Sequence, residues 1–146
     1  MIKRRGFEKC KGFEHAFKPT RSTSYSCGYD FKSPVDVTIA PGQTVKIETG
    51  IKAYMAGTEC LIIHMRSSLG FKGLRQVNTT GIIDADYYNN PGNEGNIIIG
   101  LQNTSDKPIK IKAGERIVQG LFMNYLTTDD DAAEGQRTGG IGSTGV

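Results

Sequence analysis

At 146 residues, 37% apolar and 23% charged, the chain is long enough to bury one hydrophobic core and too short for several domains. Nineteen glycines exclude a helical bundle, because glycine weakens helix interiors and serves turns instead. A net charge of +3 demands no nucleic-acid partner, and no apolar run reaches signal-peptide or membrane-span length, so a cytoplasmic protein with neither nucleic acid nor membrane as partner is expected.

In chain order, a basic N-terminal segment comes first: Lys3, Arg4, Arg5, Lys9, Lys11, Lys18 and Arg21, interrupted by Glu8 and Glu14. It reads as a solvated arm or strand. "VDVTI" alternates as a half-buried strand does. From Val45 to Met55 the odd positions (Val45, Ile47, Thr49, Ile51, Ala53, Met55) face Lys46, Glu48, Gly50, Lys52 and Tyr54 across a period of two. That pattern predicts one buried and one wet face, with at most a bend at Gly50. "CLIIHM" and "NIIIGL" are continuous apolar runs and predict strands buried on both sides. A short helix is expected after "RSSLGFKGL", with a serine capping its first turn. "IKIK" is a further alternating strand, and "SP", "APGQ", "NNPGNEG", "SDKP" and "KAGE" are turn signals between strands. The whole predicts an all-β sandwich or barrel over residues 1–126. From about Thr127 the composition turns acidic and small, then glycine-rich, and reads as a flexible C-terminal arm over residues 127–146.

Cys10, Cys27 and Cys60 are odd in number with no close pair, which predicts free thiols in a reducing compartment. His15 and His64 add no metal-ligand spacing. The closing "RTGGIGSTGV" offers an anion the backbone N–H groups of Gly139, Gly140, Gly142 and Gly145, the hydroxyls of Ser143 and Thr144, and the forked cation of Arg137. A P-loop would need a lysine within the loop and a helix after it, and neither is present. The tail is either disorder or a lid that orders over a polyphosphate. In "GIIDADYYNN", Asp84 and Asp86 stand two residues apart, on one face if the chain is a strand there and not necessarily so in a turn. One carboxylate beside a nucleotide can act as general base for water. Arg66, Ser67 and Ser68 together suit a polyphosphate clamp.

The order of these pieces is more specific than any one of them. "CGYDF", "RSSLGFKG", "NTTGIIDADY", "AGERIVQGLF" and "RTGGIGSTG", in that order, resemble the five-motif series of the trimeric dUTP pyrophosphatases (dUTPases), from about Pro19 to Val146. The resemblance implies a β jelly roll assembled as a homotrimer, with two subunits forming each pocket and the C-terminal tail of a third closing it. It implies attack of water on the α-phosphorus of dUTP, giving dUMP and pyrophosphate, which keeps uracil out of DNA and supplies dUMP for thymidylate synthesis. Asp84 matches the general base. Asn78 matches the side chain that contacts uracil, and the backbone of Gly81, Ile82 and Ile83 would read the base edge. Tyr87 matches the ring that leaves no room for a 2′-hydroxyl. Arg66, Ser67, Ser68 (the last through its N–H) and Gln119 match phosphate contacts. Asp30 matches the aspartate that supports the motif-two arginine and, through water, a hydrated Mg2+ on the triphosphate. Arg137 would arrive over the phosphates with the tail, whose Ile141, Gly142 and Ser143 would close over the substrate.

Three features depart from the common pattern. Ile141 stands where phenylalanine usually stacks on uracil, the tail is about one residue shorter between Arg137 and its glycine pair, and "YNNPGNEGN" after Tyr87 is a longer hairpin. The hairpin reads as a neutral surface loop, with a regulatory protein partner as its alternative. Two rival functions stand beside hydrolysis. A dCTP deaminase of the same fold would carry a catalytic glutamate three residues before Asn103, where this chain has Gly100. A non-catalytic jelly-roll binding protein would have no use for the full set Asp84, Asn78, Tyr87, Arg66 and Arg137.

Overall fold

The computed structural model describes residues 2–140. Its strands are β1 (Gly6–Lys9), β2 (Tyr29–Lys32), β3 (Val37–Ile39), β4 (Thr44–Glu48), β5 (Ile51–Tyr54), β6 (Glu59–Met65), β7 (Leu74–Gln76), β8 (Gly81–Asp84), β9 (Ile98–Asn103), β10 (Ile109–Ile111) and β11 (Arg116–Asn124). Helical structure is limited, among the described residues, to α1 (Ser67–Phe71) and a single 3-10 turn over Ala85–Tyr87. Every strand pairing is antiparallel. A four-stranded sheet runs β2-β11-β6-β8, a three-stranded one β4-β9-β7, and two pairs join β1 to β5 and β3 to β10. Neighbours distant in sequence make this a jelly-roll β-sandwich rather than a meander. The core between the sheets is mostly aliphatic: Phe31, Leu61, Ile97, Leu101, Ile117 and Val118 are all fully buried.

The alternation expected from Val45 to Met55 holds in β4, where Ile47 is buried between exposed Lys46 and Glu48. It fails in β5, where Ile51, Lys52 and Ala53 are all buried. The cause is long-range: the loop after Tyr87 covers the second face, and the Lys52 ammonium donates to Glu94 and to the Asn89 side chain, at 2.6 Å each. "NIIIGL" errs the other way. Ile97, Ile99 and Leu101 are buried, but Ile98 and Gly100 are only half covered, because the outer face of β9 lines a cleft. The helix falls within "RSSLGFKGL" rather than after it, and its N-cap is Arg66, with no side-chain cap. Arg66 takes an extended backbone and its guanidinium is held toward Asp30, so Ser67 becomes the first helical residue instead of the cap.

All three cysteines are free. Burial pushes the Cys10 thiol up to about 11, which makes it an inert packing group at neutral pH. Asn103 ends β9 fully buried and fully bonded: its Nδ2 donates to Ile39 O (2.9 Å) and Lys107 O (2.7 Å), and its Oδ1 accepts from the Ser105 N–H (2.9 Å) and hydroxyl (2.7 Å). Among the described residues no helix is long and apolar enough to cross a membrane. After β11 the described chain continues to Gly140 without strand or helix.

Candidate active site

Strand β8 is the edge of the four-stranded sheet and pairs only with β6, Gly81 opposite Ile63 and Asp84 opposite Cys60. Its outer backbone edge therefore has no strand partner among the described residues, and a planar ligand edge can use those N–H and C=O groups as a strand would. Beside it lies a cleft of about 250 Å³ lined by Asn78, Gly81, Ile82, Ile83, Asp84 and Tyr87, floored by Ile97 and Ile99 of the core. The buried Gln76 amide donates to Ile63 O (3.3 Å) and to Asn78 Oδ1 (2.9 Å), which occupies the Asn78 oxygen and leaves its Nδ2 as the donor for a ligand. Tyr87 is buried at the end of the 3-10 turn. Its hydroxyl donates to Asn96 O (2.6 Å) and accepts from Asn93 Nδ2 (3.0 Å), and burial pushes the phenol pKa up.

Asp84 ends β8 and Asp86 sits in the 3-10 turn, yet both carboxylates meet one cation. Arg137 donates through Nη2 to Asp84 (2.5 Å) and through Nε to Asp86 (2.8 Å), and its guanidinium lies 5.9 Å from the Tyr87 ring centroid. Hydrogen bonding to Asp86, above all, raises the guanidinium pKa. The arm thus already reaches the cleft, with Arg137 and Gly140 in its lining. The guanidinium expected over phosphates is here on carboxylates of its own chain, the strongest acceptors within reach. Ile141, Gly142 and Ser143 lie outside the described residues.

The other site residues gather elsewhere. A second cleft, of about 370 Å³, is lined by Asp30, Arg66, Ser67, Ser68 and Gln119 together with Ser22, Ser26 and Gly28, and shares no lining residue with the first. Buried Asp30 accepts from the Ser22 hydroxyl (2.9 Å) and faces Arg66 (3.4 Å) and Arg116 (3.6 Å). Gln119 sits on β11 opposite Asp30, just after a bulge between Arg116 and Val118 that re-aims the strand. The two clefts are held apart by the register of β6 against β8. Arg66 lies six residues beyond Cys60, the partner of Asp84. At about 3.4 Å per extended residue that is about 20 Å along the sheet. A nucleotide whose α-phosphate sits at Asp84 cannot reach Arg66 of the same chain.

Sequence reasoning missed Ser22, Arg116, Gln76 and Asn93. The hydroxyl-rich "RSTSYS" ahead of "CGYDF" and the arginine of "GERIVQ" carried some signal for the first two. Gln76 and Asn93 act on Asn78 and Tyr87 through contacts that only the fold creates. The hairpin expected as a neutral surface loop exposes Asn89, Pro91 and Gly92 and buries Asn90 and Asn96.

Residues 14–145 match the dUTPase family model. The deoxyuridine 5′-triphosphate nucleotidohydrolase of Lactococcus lactis subsp. lactis is 46% identical over 150 aligned residues, covering 99% of this chain and 100% of that protein. Its counterpart in Haemophilus ducreyi is 36% identical over 138 residues, with 87% and 86% covered. The crystal structure of dUTPase from Streptococcus mutans superposes with a TM-score of 0.80 at 43% identity, covering 85% of this chain and 98% of that one.

Proposed function

The chain belongs to the dUTPase family, and from that premise we propose that it hydrolyses dUTP to dUMP and pyrophosphate in pockets completed by neighbouring copies of itself. The observation that carries the reading is one cleft holding an open strand edge for a base, a buried tyrosine for a sugar and a carboxylate where the α-phosphate would follow. Uracil lies along Gly81, Ile82 and Ile83 with the Asn78 amide as donor. Cytosine presents the opposite donor pattern and leaves buried groups unpaired, a strong basis for rejection. Tyr87 forms the wall against a 2′-hydroxyl. Water held by Asp84 gives its proton to the carboxylate as its oxygen bonds to the α-phosphorus, and the bond from that phosphorus to the bridging oxygen breaks, releasing pyrophosphate.

Arg66, Ser67, Ser68 and Gln119 come from a second copy, because the register puts those of the same chain out of reach. The homotrimer expected from the motifs supplies that copy and a third for the arm. Large apolar side chains left in the open on the single chain, Phe71, Ile82 and Leu126, support such packing. Departure of the arm for a neighbouring pocket takes Arg137 off Asp84 and Asp86 of its own chain, which frees the base.

Among the described residues no cluster of three His, Cys, Asp or Glu side chains could cage a metal. Asp30 is already engaged by two arginines and a serine. This donor set fits Mg2+ carried on the triphosphate and completed by water, with Asp30 acting through that water. Bound there, the ion offsets charge repulsion and stabilises the leaving pyrophosphate.

Deamination is disfavoured by space as well as chemistry. A Cβ at Gly100 would stand 2.6 Å from Val77 Cγ2, so a glutamate there would displace its neighbour before it could shuttle a proton. Pyrophosphate release measured in parallel with dUTP, dCTP, dTTP and UTP tests the proposal, and dUTP should be the strongly preferred substrate. Tyr87→Ala should raise UTP turnover relative to dUTP. Equal use of all four nucleotides would contradict the reading, and a UTP-to-dUTP ratio unmoved by the substitution would remove Tyr87 from it.

A further inference from the structure

The loop between Tyr87 and Ile97 is more ordered than its turn-rich sequence suggests. Four of its residues adopt the left-handed region: Asn89 (φ 57°), Gly92 (φ 90°), Glu94 (φ 62°) and Gly95 (φ 81°). Gly95 is obligatory on contact grounds too, since a Cβ there would lie 2.3 Å from Tyr87 O. The loop closes on itself through Asn90 N–H to Tyr87 O (3.0 Å), Glu94 N–H to Asn90 O (2.8 Å) and Asn89 N–H to Glu94 O (3.1 Å). It is then tied to the body, with Glu94 and Asn96 among its anchors. The Glu94 carboxylate accepts from the Lys52 ammonium (2.6 Å) and the Lys11 N–H (3.1 Å), and Asn96 Oδ1 accepts from the Gly50 N–H (2.9 Å).

One side chain connects this frame to the cleft. Asn93 Oδ1 accepts from Asn90 Nδ2 and from the Gly95 N–H, at 3.0 Å each, which fixes the orientation of its amide. Its Nδ2 then donates to the Tyr87 hydroxyl at 3.0 Å, while that hydroxyl donates to Asn96 O at 2.6 Å. The phenol is held from both sides by the same loop. The arm rests here as well: a Cβ on Gly140 would lie 3.1 Å from Asn93 Nδ2 and 3.7 Å from Tyr87 Cε1.

We propose that Asn93 is a positioning residue for sugar selection, and that the loop after Tyr87 is the frame through which it acts. A steric wall excludes a hydroxyl only if it cannot yield. A ring anchored at its edge alone can tilt, whereas one also held at its phenolic end keeps its place against the sugar. The inference rests on the reading of Tyr87 as the wall against the 2′-hydroxyl. It assigns the long hairpin a part in the site in place of a neutral surface role.

The test measures kcat and KM for dUTP and UTP in the wild type, Asn93→Ala, Tyr87→Phe, the double variant and Tyr87→Ala, with melting temperatures beside them. One hydrogen bond lost from the phenol should lower the dUTP-to-UTP ratio of kcat/KM by about three- to tenfold in Asn93→Ala. Tyr87→Phe removes that bond together with the one to Asn96 O while leaving the loop's own side chains in place, and should lower the ratio at least as far. In the double variant Asn93→Ala should add nothing to Tyr87→Phe. A ratio unchanged in Tyr87→Phe, or an equal further fall on adding Asn93→Ala to it, overturns the proposal. If Tyr87→Ala also leaves the ratio unmoved, the reading of Tyr87 fails beneath it. If Tyr87→Ala moves the ratio and Asn93→Ala does not, only the present inference fails.

Discussion

Asp84→Asn should lose at least about a hundredfold in turnover while still binding dUTP, since general-base catalysis typically contributes about 10²–10⁴-fold. Asparagine keeps the shape and can still orient water, but it is a far poorer base. The structure supplies the control. Asp84 and Asp86 both hold Arg137, at 2.5 and 2.8 Å, and both are largely exposed. Loss of an ion pair to the arm would therefore appear in either variant, and at such exposure it is small. Loss of the base should appear in one alone. Turnover and nucleotide binding measured for Asp84→Asn and Asp86→Asn separate the two effects. A dead Asp86→Asn beside a normal Asp84→Asn would move the base to the other carboxylate.

Removing the chain from Arg137 onward should leave the jelly roll folded and nearly inactive. No described residue after Gly120 is buried, and those beyond Asn124 form neither strand nor helix, so little packing is lost with the arm. What is lost is the guanidinium and the glycine backbone proposed to close on the phosphates. Withdrawing a preorganised stabiliser of developing charge commonly costs about 10²–10³-fold in turnover. Circular dichroism and thermal melting should match the full chain while pyrophosphate release collapses. Undiminished turnover would reduce the arm to an appendage.

The chemistry of this protein is more legible in its sequence than its packing is. Asp84, Tyr87 and Arg66 are the residues proposed to act on a nucleotide directly, so their types and order stand in the linear text, and the structure brings Asp84, Tyr87, Asn78 and Gly81–Ile83 to one cleft. Strand class was legible in β4 because solvent lies on one side of it. In β5 it was not, because what covers Lys52 is a glutamate 42 positions away. The position of α1 turned on Arg66 being held toward Asp30, a contact between distant segments that local capping preference does not encode. The division of the site residues into two clefts follows from a strand register, which motif order alone does not specify. The part played by Asn93 was hidden for a similar reason. It lies six residues from Tyr87, and only the left-handed turns of the loop bring its amide back to the phenol.

The central claim is that this chain directs water onto the α-phosphorus of dUTP. Hydrolysis in water labelled with heavy oxygen, followed by mass analysis of both products, tests it most directly. The account predicts one labelled oxygen in dUMP and none in pyrophosphate. Label in the pyrophosphate, or release of dUDP and orthophosphate, would contradict it.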